Sequence, residues 1–178
     1  MGLALLARIN YQIATGFGDL KKLFKKGECV AISNYLDERL VLFFNAQSQS
    51  DALEQLVAAL ERAGKLKNSK VFHGAILERE KIVSTGIGLG VAIPHAKLQG
   101  YDEFFIAIGI QGNKGIEWNA LDGSAVRLIF MIGGPENKQT EYLRILSHLT
   151  MAIKNEERRK KLLKTHDAKE VISLFADC

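Results

Sequence analysis

Short apolar runs rich in β-branched and aromatic residues alternate along this chain with segments of helical period, and no unit repeats. That interleaving is the strongest constraint on the fold, because strands separated by amphipathic helices bury their apolar faces by packing the helices on a sheet. The run Leu40-Val41-Leu42-Phe43-Phe44 has the length and composition of a buried strand. A helix follows it: Ser48 with Asp51 makes a capping-box start, Leu53, Leu56, Val57 and Leu60 form one apolar face, and Gly64 stands where a C-terminal glycine would. Asn68 or Ser69 then caps a second helix running through Val71, Ala75 and Ile76 to Glu80. Residues 104–111 and 126–132 read as two further strands, with Asp122-Gly123 as a turn between them and Gly133-Gly134-Pro135 as the stop. Three helices complete the chain, over 140–153, over 156–164, and one opened by Asp167 with Glu170 at the capping-box position. The expected class is α/β: a single domain with a mixed β-sheet and helices on more than one face.

Composition narrows the function classes. At 178 residues, 47% hydrophobic, 25% charged and only 2 Pro, the chain has the profile of one ordinary globular core. Its formal charge of +4 is too small an excess to point to nucleic acid, whereas acidic small ligands are compatible with it. Cys29 and Cys178 form no C-x-x-C pair and no disulfide framework, which fits a cytoplasmic protein. Arg8 and Asn10 interrupt Leu3, Leu5 and Leu6 before they reach signal or membrane-spanning length, so no membrane insertion is expected, and Leu6 breaks the myristoylation pattern at Gly2. Residues 1–31, with Leu6, Ile9 and Ile13, the breaker Gly16-Phe17-Gly18 and a lysine-rich stretch, read as an appended helical arm, leaving 32–178 as the domain. His73 and His166 have no Cys or carboxylate set at metal-ligand spacing, so neither a metal nor a cofactor is expected. Arg158-Arg159-Lys160-Lys161 reads as the wet face of a helix, and Trp118 as packing near the turn.

Chemistry concentrates between Glu78 and Lys97. Gly86, Gly88 and Gly90 alternate with apolar residues, so the backbone there can turn sharply and present N–H groups to an anion. The spacing matches neither the P-loop nor the dinucleotide fingerprint. Val91-Ala92-Ile93 reads as a short buried strand that ends in Pro94-His95 and aims an imidazole from a rigid position. Neutral imidazole is one of the few side chains able to attack a phosphoryl group at neutral pH and hold it as a labile phosphoramidate. Phosphoryl transfer needs positioning and charge stabilisation above all, and Arg79, Ser84, Thr85 and the N–H of Gly86 are candidate donors to the phosphate.

Glu80, Ile87, Gly88, Val91, Ala92, Ile93, Pro94, His95 and Ala96 together reproduce a family pattern without a mismatch. On these residues the chain resembles the enzyme IIA domains of the fructose–mannitol class of the bacterial phosphoenolpyruvate-dependent sugar phosphotransferase system, including their nitrogen-regulatory branch. The resemblance extends more loosely over 32–178. It implies a mixed sheet between helical layers on both faces, three layers in all. It also implies that His95 accepts phosphate from the histidine-containing phosphocarrier protein, and that Arg79 faces the phosphohistidine. One position departs from the pattern: the second active-site histidine that the family commonly carries at a helix start aligns with Tyr142. His148 lies on a different helical face and does not replace it. Two outputs fit the resemblance, transfer to a separate permease component of sugar transport and regulation of another protein, and the missing histidine favours the regulator. A phosphorylation-independent module that holds an anion or a protein on the glycine nest is the remaining reading.

Overall fold

The structure, a computed structural model, describes residues 31–112 and 114–176, so the arm expected over 1–31 lies outside the described residues save Ala31. Two short 3-10 turns, Ile32–Tyr35 and Glu38–Leu40, lead into β1 (Val41–Phe44). The Ser48 hydroxyl accepts the Asp51 N–H at 3.2 Å and opens α1 (Gln49–Arg62), while the Asp51 carboxylate reaches back to the Gln47 N–H at 2.8 Å. Gly64 ends the helix at φ +70°, a left-handed conformation that lets the Lys65 N–H close on the Leu60 carbonyl at 2.9 Å. Asn68 caps α2 (Ser69–Ile82), which runs past Glu80 and so carries Arg79 and Glu80 in its last turn.

Three short strands follow, β2 (Gly86–Gly88), β3 (Val91–Ala92) and β4 (His95–Leu98), and then the long pair β5 (Phe105–Gln111) and β6 (Leu128–Pro135). The sheet runs β1-β5-β6-β3-β2, with β4 also on β6. It is mixed: β1 is parallel to β5, β5 antiparallel to β6, β3 and β4 parallel to β6, and β2 antiparallel to β3. β3 and β4 are two halves of one line. Ala92 stands opposite Ile129 and His95 opposite Ile132, so the register is kept across the gap. Pro94 makes that gap because it has no N–H to give the ladder, although its carbonyl still accepts the Ile132 N–H at 2.9 Å. His95 therefore begins a strand after a break, where the sequence suggested the end of one.

The last elements are α3 (Gln139–Lys154), α4 (Glu156–Leu162) and α5 (Ala168–Ser173). Strand alternation divides the core in two. Ile106, Ile108, Ile110, Leu128, Phe130 and Ile132 face α3, α4 and α5, whereas Phe105, Ala107, Ile129 and Met131 face α1 and α2. The sheet is thus an open mixed sheet covered by helices on both faces, a three-layer α/β domain. Two local expectations are corrected. Glu170 accepts the Thr165 hydroxyl instead of returning to the Asp167 N–H, which bonds Thr165 Oγ1. Only Lys160 and Lys161 of the basic run form a wet face; Arg158 donates to the Ala152 carbonyl at 3.1 Å and Arg159 to those of Ile153 and Lys154 at 2.6 and 2.8 Å, closing the C-terminus of α3. Among the described residues no helix is long and apolar enough to cross a membrane.

Candidate functional site

The break at Pro94 sets the imidazole. His95 Nδ1 lies 2.9 Å from the carbonyl oxygen of Ile93, and a carbonyl has no proton to give, so Nδ1 is the protonated nitrogen. Nε2 then keeps its lone pair, and Arg79 Nε donates to it at 3.0 Å. With 7% of its surface exposed, the ring is nearly enclosed. Burial first, and the Arg79 charge second, push the His95 pKa down to about 4, against a hydrogen bond to Ile93 that pulls the other way. The imidazole is therefore neutral at physiological pH, with one nitrogen oriented and the other basic.

Arg79 reaches the site from the last turn of α2. Its Nη1 donates to the Val83 carbonyl at 2.9 Å, just past the helix end, which aims the guanidinium at β4. From the other side α3 brings Tyr142, whose ring lies 5.5 Å from that of His95 and 6.2 Å from that of Phe104. The Lys97 ammonium sits 4.7 Å above the Tyr142 ring and also bonds Gln139 at the start of α3.

The other candidate donors are occupied within the protein. The Ser84 hydroxyl donates to the Trp118 carbonyl at 2.6 Å and accepts the Gly86 N–H at 3.1 Å. Thr85 gives its N–H and its hydroxyl to the Glu80 carboxylate at 2.8 and 2.6 Å, and Trp118 Nε1 adds a third bond to it at 3.1 Å. The structure thus brings Arg79 to His95 and uses Ser84, Thr85 and Gly86 to lock the start of β2 against the Trp118 segment. Gly86 is required there by space, since a Cβ on it would lie 2.9 Å from Ala120. The glycine nest meets an anion from its own chain: the Asp122 carboxylate accepts the Leu89 N–H at 2.9 Å, and the Ser124 hydroxyl accepts that of Gly90 at 3.0 Å. Hydrogen bonds from Ser124 and Leu89 hold Asp122 down at a pKa of about 2.

Sequence reasoning missed the Glu80 clamp, the Ile93 carbonyl, the contact of Lys97 with Tyr142, and the part Asp122 plays in this region. Glu80 was visible as a motif position and Asp122 as a turn residue, but their partners are distant in sequence or belong to the backbone.

The family model described as "Phosphoenolpyruvate-dependent sugar phosphotransferase system, EIIA 2" matches residues 34–178. A nitrogen regulatory protein of Bradyrhizobium diazoefficiens is 30% identical over 140 residues, 78% of this chain and 90% of that protein. The fructose-specific EIIABC component of Bacillus subtilis is 35% identical over 134 residues, 75% of this chain, but the matched stretch spans only 21% of that larger protein. Among solved structures, the nitrogen regulatory protein IIA-Ntr of Neisseria meningitidis superimposes with a TM-score of 0.75 at 31% identity, covering 82% of this chain and 99% of that one. IIA mannitol of Escherichia coli, at 22% identity and a TM-score of 0.65, covers 86% of this chain and 100% of that one and shares the fold. With the family model covering the whole described sheet and its helices, the chain belongs to the EIIA 2 family of the phosphoenolpyruvate-dependent sugar phosphotransferase system.

Proposed function

We propose that this protein is a phosphocarrier that takes a phosphoryl group on His95 Nε2 from the phosphohistidine of the histidine-containing phosphocarrier protein. The observation that carries this reading is the pairing of an Nδ1–H held by the Ile93 carbonyl with an Nε2 lone pair facing a guanidinium. In the transfer, the N–P bond of the donor breaks with its electron pair returning to the donor imidazole, while Nε2 forms the new N–P bond. No proton has to leave His95 in the transfer itself: with Nδ1–H still donated to the Ile93 carbonyl, the product ring is a phosphoimidazolium whose positive charge is offset by the phosphoryl oxygens, and the donor ring passes from phosphoimidazolium to neutral imidazole. Arg79 Nε must first leave the lone pair, and the guanidinium then meets the phosphoryl oxygens as a charge-assisted donor. Ser84, Thr85 and Gly86 serve the phosphate through the shape of the β2 start, which also holds the Val83 segment that orients Arg79.

A regulatory output of the nitrogen type fits best. Support comes from relatives named nitrogen regulatory protein that match along nearly their full length, and from the tyrosine at position 142. A phosphohistidine adds charge against Arg79, whose guanidinium also holds the Val83 carbonyl, and Ile82 and Val83 are exposed apolar residues, so a partner docking on them would distinguish the two states. The second reading, an enzyme IIA component that passes phosphate to a separate permease, draws on the match to a fructose-specific protein.

Incubation with the general phosphotransferase proteins and labelled phosphoenolpyruvate tests the carrier reading. Acid-labile label on the wild type that is absent from His95→Ala supports it, and an unlabelled wild type overturns it. Onward transfer to a sugar-specific IIB protein would favour transport over regulation.

A further inference from the structure

Two buried donors near His95 have no acceptor among the described residues: Nη2 of Arg79 and the hydroxyl of Tyr142. Leaving such groups unpaired costs free energy, so a buried donor with no protein acceptor points to an ordered water, an ion or a ligand as its partner. The two belong to different helices, α2 and α3, that converge on one imidazole. Arg79 uses Nε on His95 Nε2 and Nη1 on Val83, which leaves Nη2 as its unengaged nitrogen. Tyr142 has no exposed surface, and its ring is fixed between His95 and Phe104 with the Lys97 ammonium over its face. A ring so confined cannot swing its hydroxyl to solvent. Burial pushes the Tyr142 pKa up, and the positive charge of Arg79 acts on it in the opposite sense, so the hydroxyl stays protonated at physiological pH and lies within reach of the guanidinium's field.

We propose that the Tyr142 hydroxyl and Arg79 Nη2 form a two-pronged oxyanion site that receives the oxygens of a phosphoryl group on His95, with Tyr142 as a catalytic residue of this chain. The inference rests on the phosphocarrier reading and adds to it a role for a side chain that is neutral whether or not phosphate is present. The charge of a phosphoryl group is spread over three oxygens, and one guanidinium approaching from α2 leaves the α3 side of the group to Tyr142. The hydroxyl bond forms to the phosphorylated state alone, so it shifts the phosphoryl equilibrium toward this protein without stabilising the resting state.

Tyr142→Phe removes the oxygen and nothing else. Labelled from phosphoenolpyruvate through the carrier protein, it should still acquire acid-labile label on His95 but with its phosphoryl equilibrium against the donor lowered roughly tenfold or more. Thermal melting of the unphosphorylated variant should occur at or above the wild-type temperature, because an unpaired buried hydroxyl has been removed. An unchanged equilibrium in a labelled Tyr142→Phe overturns the role of Tyr142 while leaving the carrier reading intact. A lowered melting temperature also overturns it, since the hydroxyl would then be bonded in the resting protein. Failure of the wild type to take label on His95 overturns the carrier reading itself.

Discussion

His95 Nδ1 and the carbonyl oxygen of Ile93 are 2.9 Å apart across Pro94, so the residue that breaks the strand also fixes the tautomer of the histidine that follows it. The Ile93 N–H bonds the Thr85 carbonyl at 3.0 Å, so both backbone polar groups of Ile93 are engaged, one on the β2 side and one on the imidazole. The backbone thus does for this imidazole what a carboxylate does in many catalytic histidines.

The His95 pKa is about 4 in the folded protein and near 6.5 when unfolded, so the unfolded state binds the extra proton between those values. The stability contributed by the neutral buried ring is fully present above pH 6.5 and is lost as pH falls toward 4, roughly 3 kcal/mol in all. Denaturant titrations of wild type and His95→Gln should diverge over that interval. Phosphoryl acceptance should stay nearly level from pH 8 to about 5, whereas an ordinary histidine has lost half its nucleophile by pH 6.5 and nearly all of it by about pH 5.

Arg79→Ala should lower the phosphoryl equilibrium by one to two decades, as expected for loss of a charge-assisted bond of about 1.5–3 kcal/mol. The same substitution removes the positive neighbour of His95, so the imidazole pKa should rise, a change read directly by NMR titration of the ring protons. Arg79→Lys should not restore transfer, because an ammonium cannot hold Val83 and the site at once.

Glu80 binds Thr85 and Trp118 in one clamp, and both partners are buried. Glu80→Ala leaves the Thr85 N–H and hydroxyl unpaired and Trp118 Nε1 with only its 3.3 Å bond to Thr85 Oγ1, which should destabilise the fold by about 2–4 kcal/mol. Trp118 is the single tryptophan, so its fluorescence in a denaturation curve reports the loss at the affected place.

Asp122 holds the β2–β3 turn, where Leu89 adopts a left-handed φ of 59°. Its lowered pKa means that the clip is present above pH 3.8 and is lost as pH falls through about 2. Asp122→Ala should speed hydrogen exchange of the Leu89 amide at neutral pH, with the His95 label unaffected.

The sequence by itself determined the alternation of strands and helices, the caps at Ser48 and Asn68, and the Pro94-His95 position, because these depend on local period, local hydrogen bonding and a single ring closure. It also put Arg79 and His95 in one motif, since α2 and the glycine segment are close along the chain. Only the tertiary structure decided which donors remain for a ligand. Ser84, Thr85 and Gly86 look as available as Arg79 in the sequence, yet the Trp118 segment, more than thirty residues away, engages the Ser84 hydroxyl and completes the Glu80 clamp that holds Thr85. Tyr142 could be aligned with a site position from its neighbours, but that its hydroxyl is sealed without an acceptor among the described residues follows from α3 packing on β4, a contact that no local pattern encodes. Local rules place residues on elements; whether a polar atom is engaged or left over is settled by what the other elements bring to it.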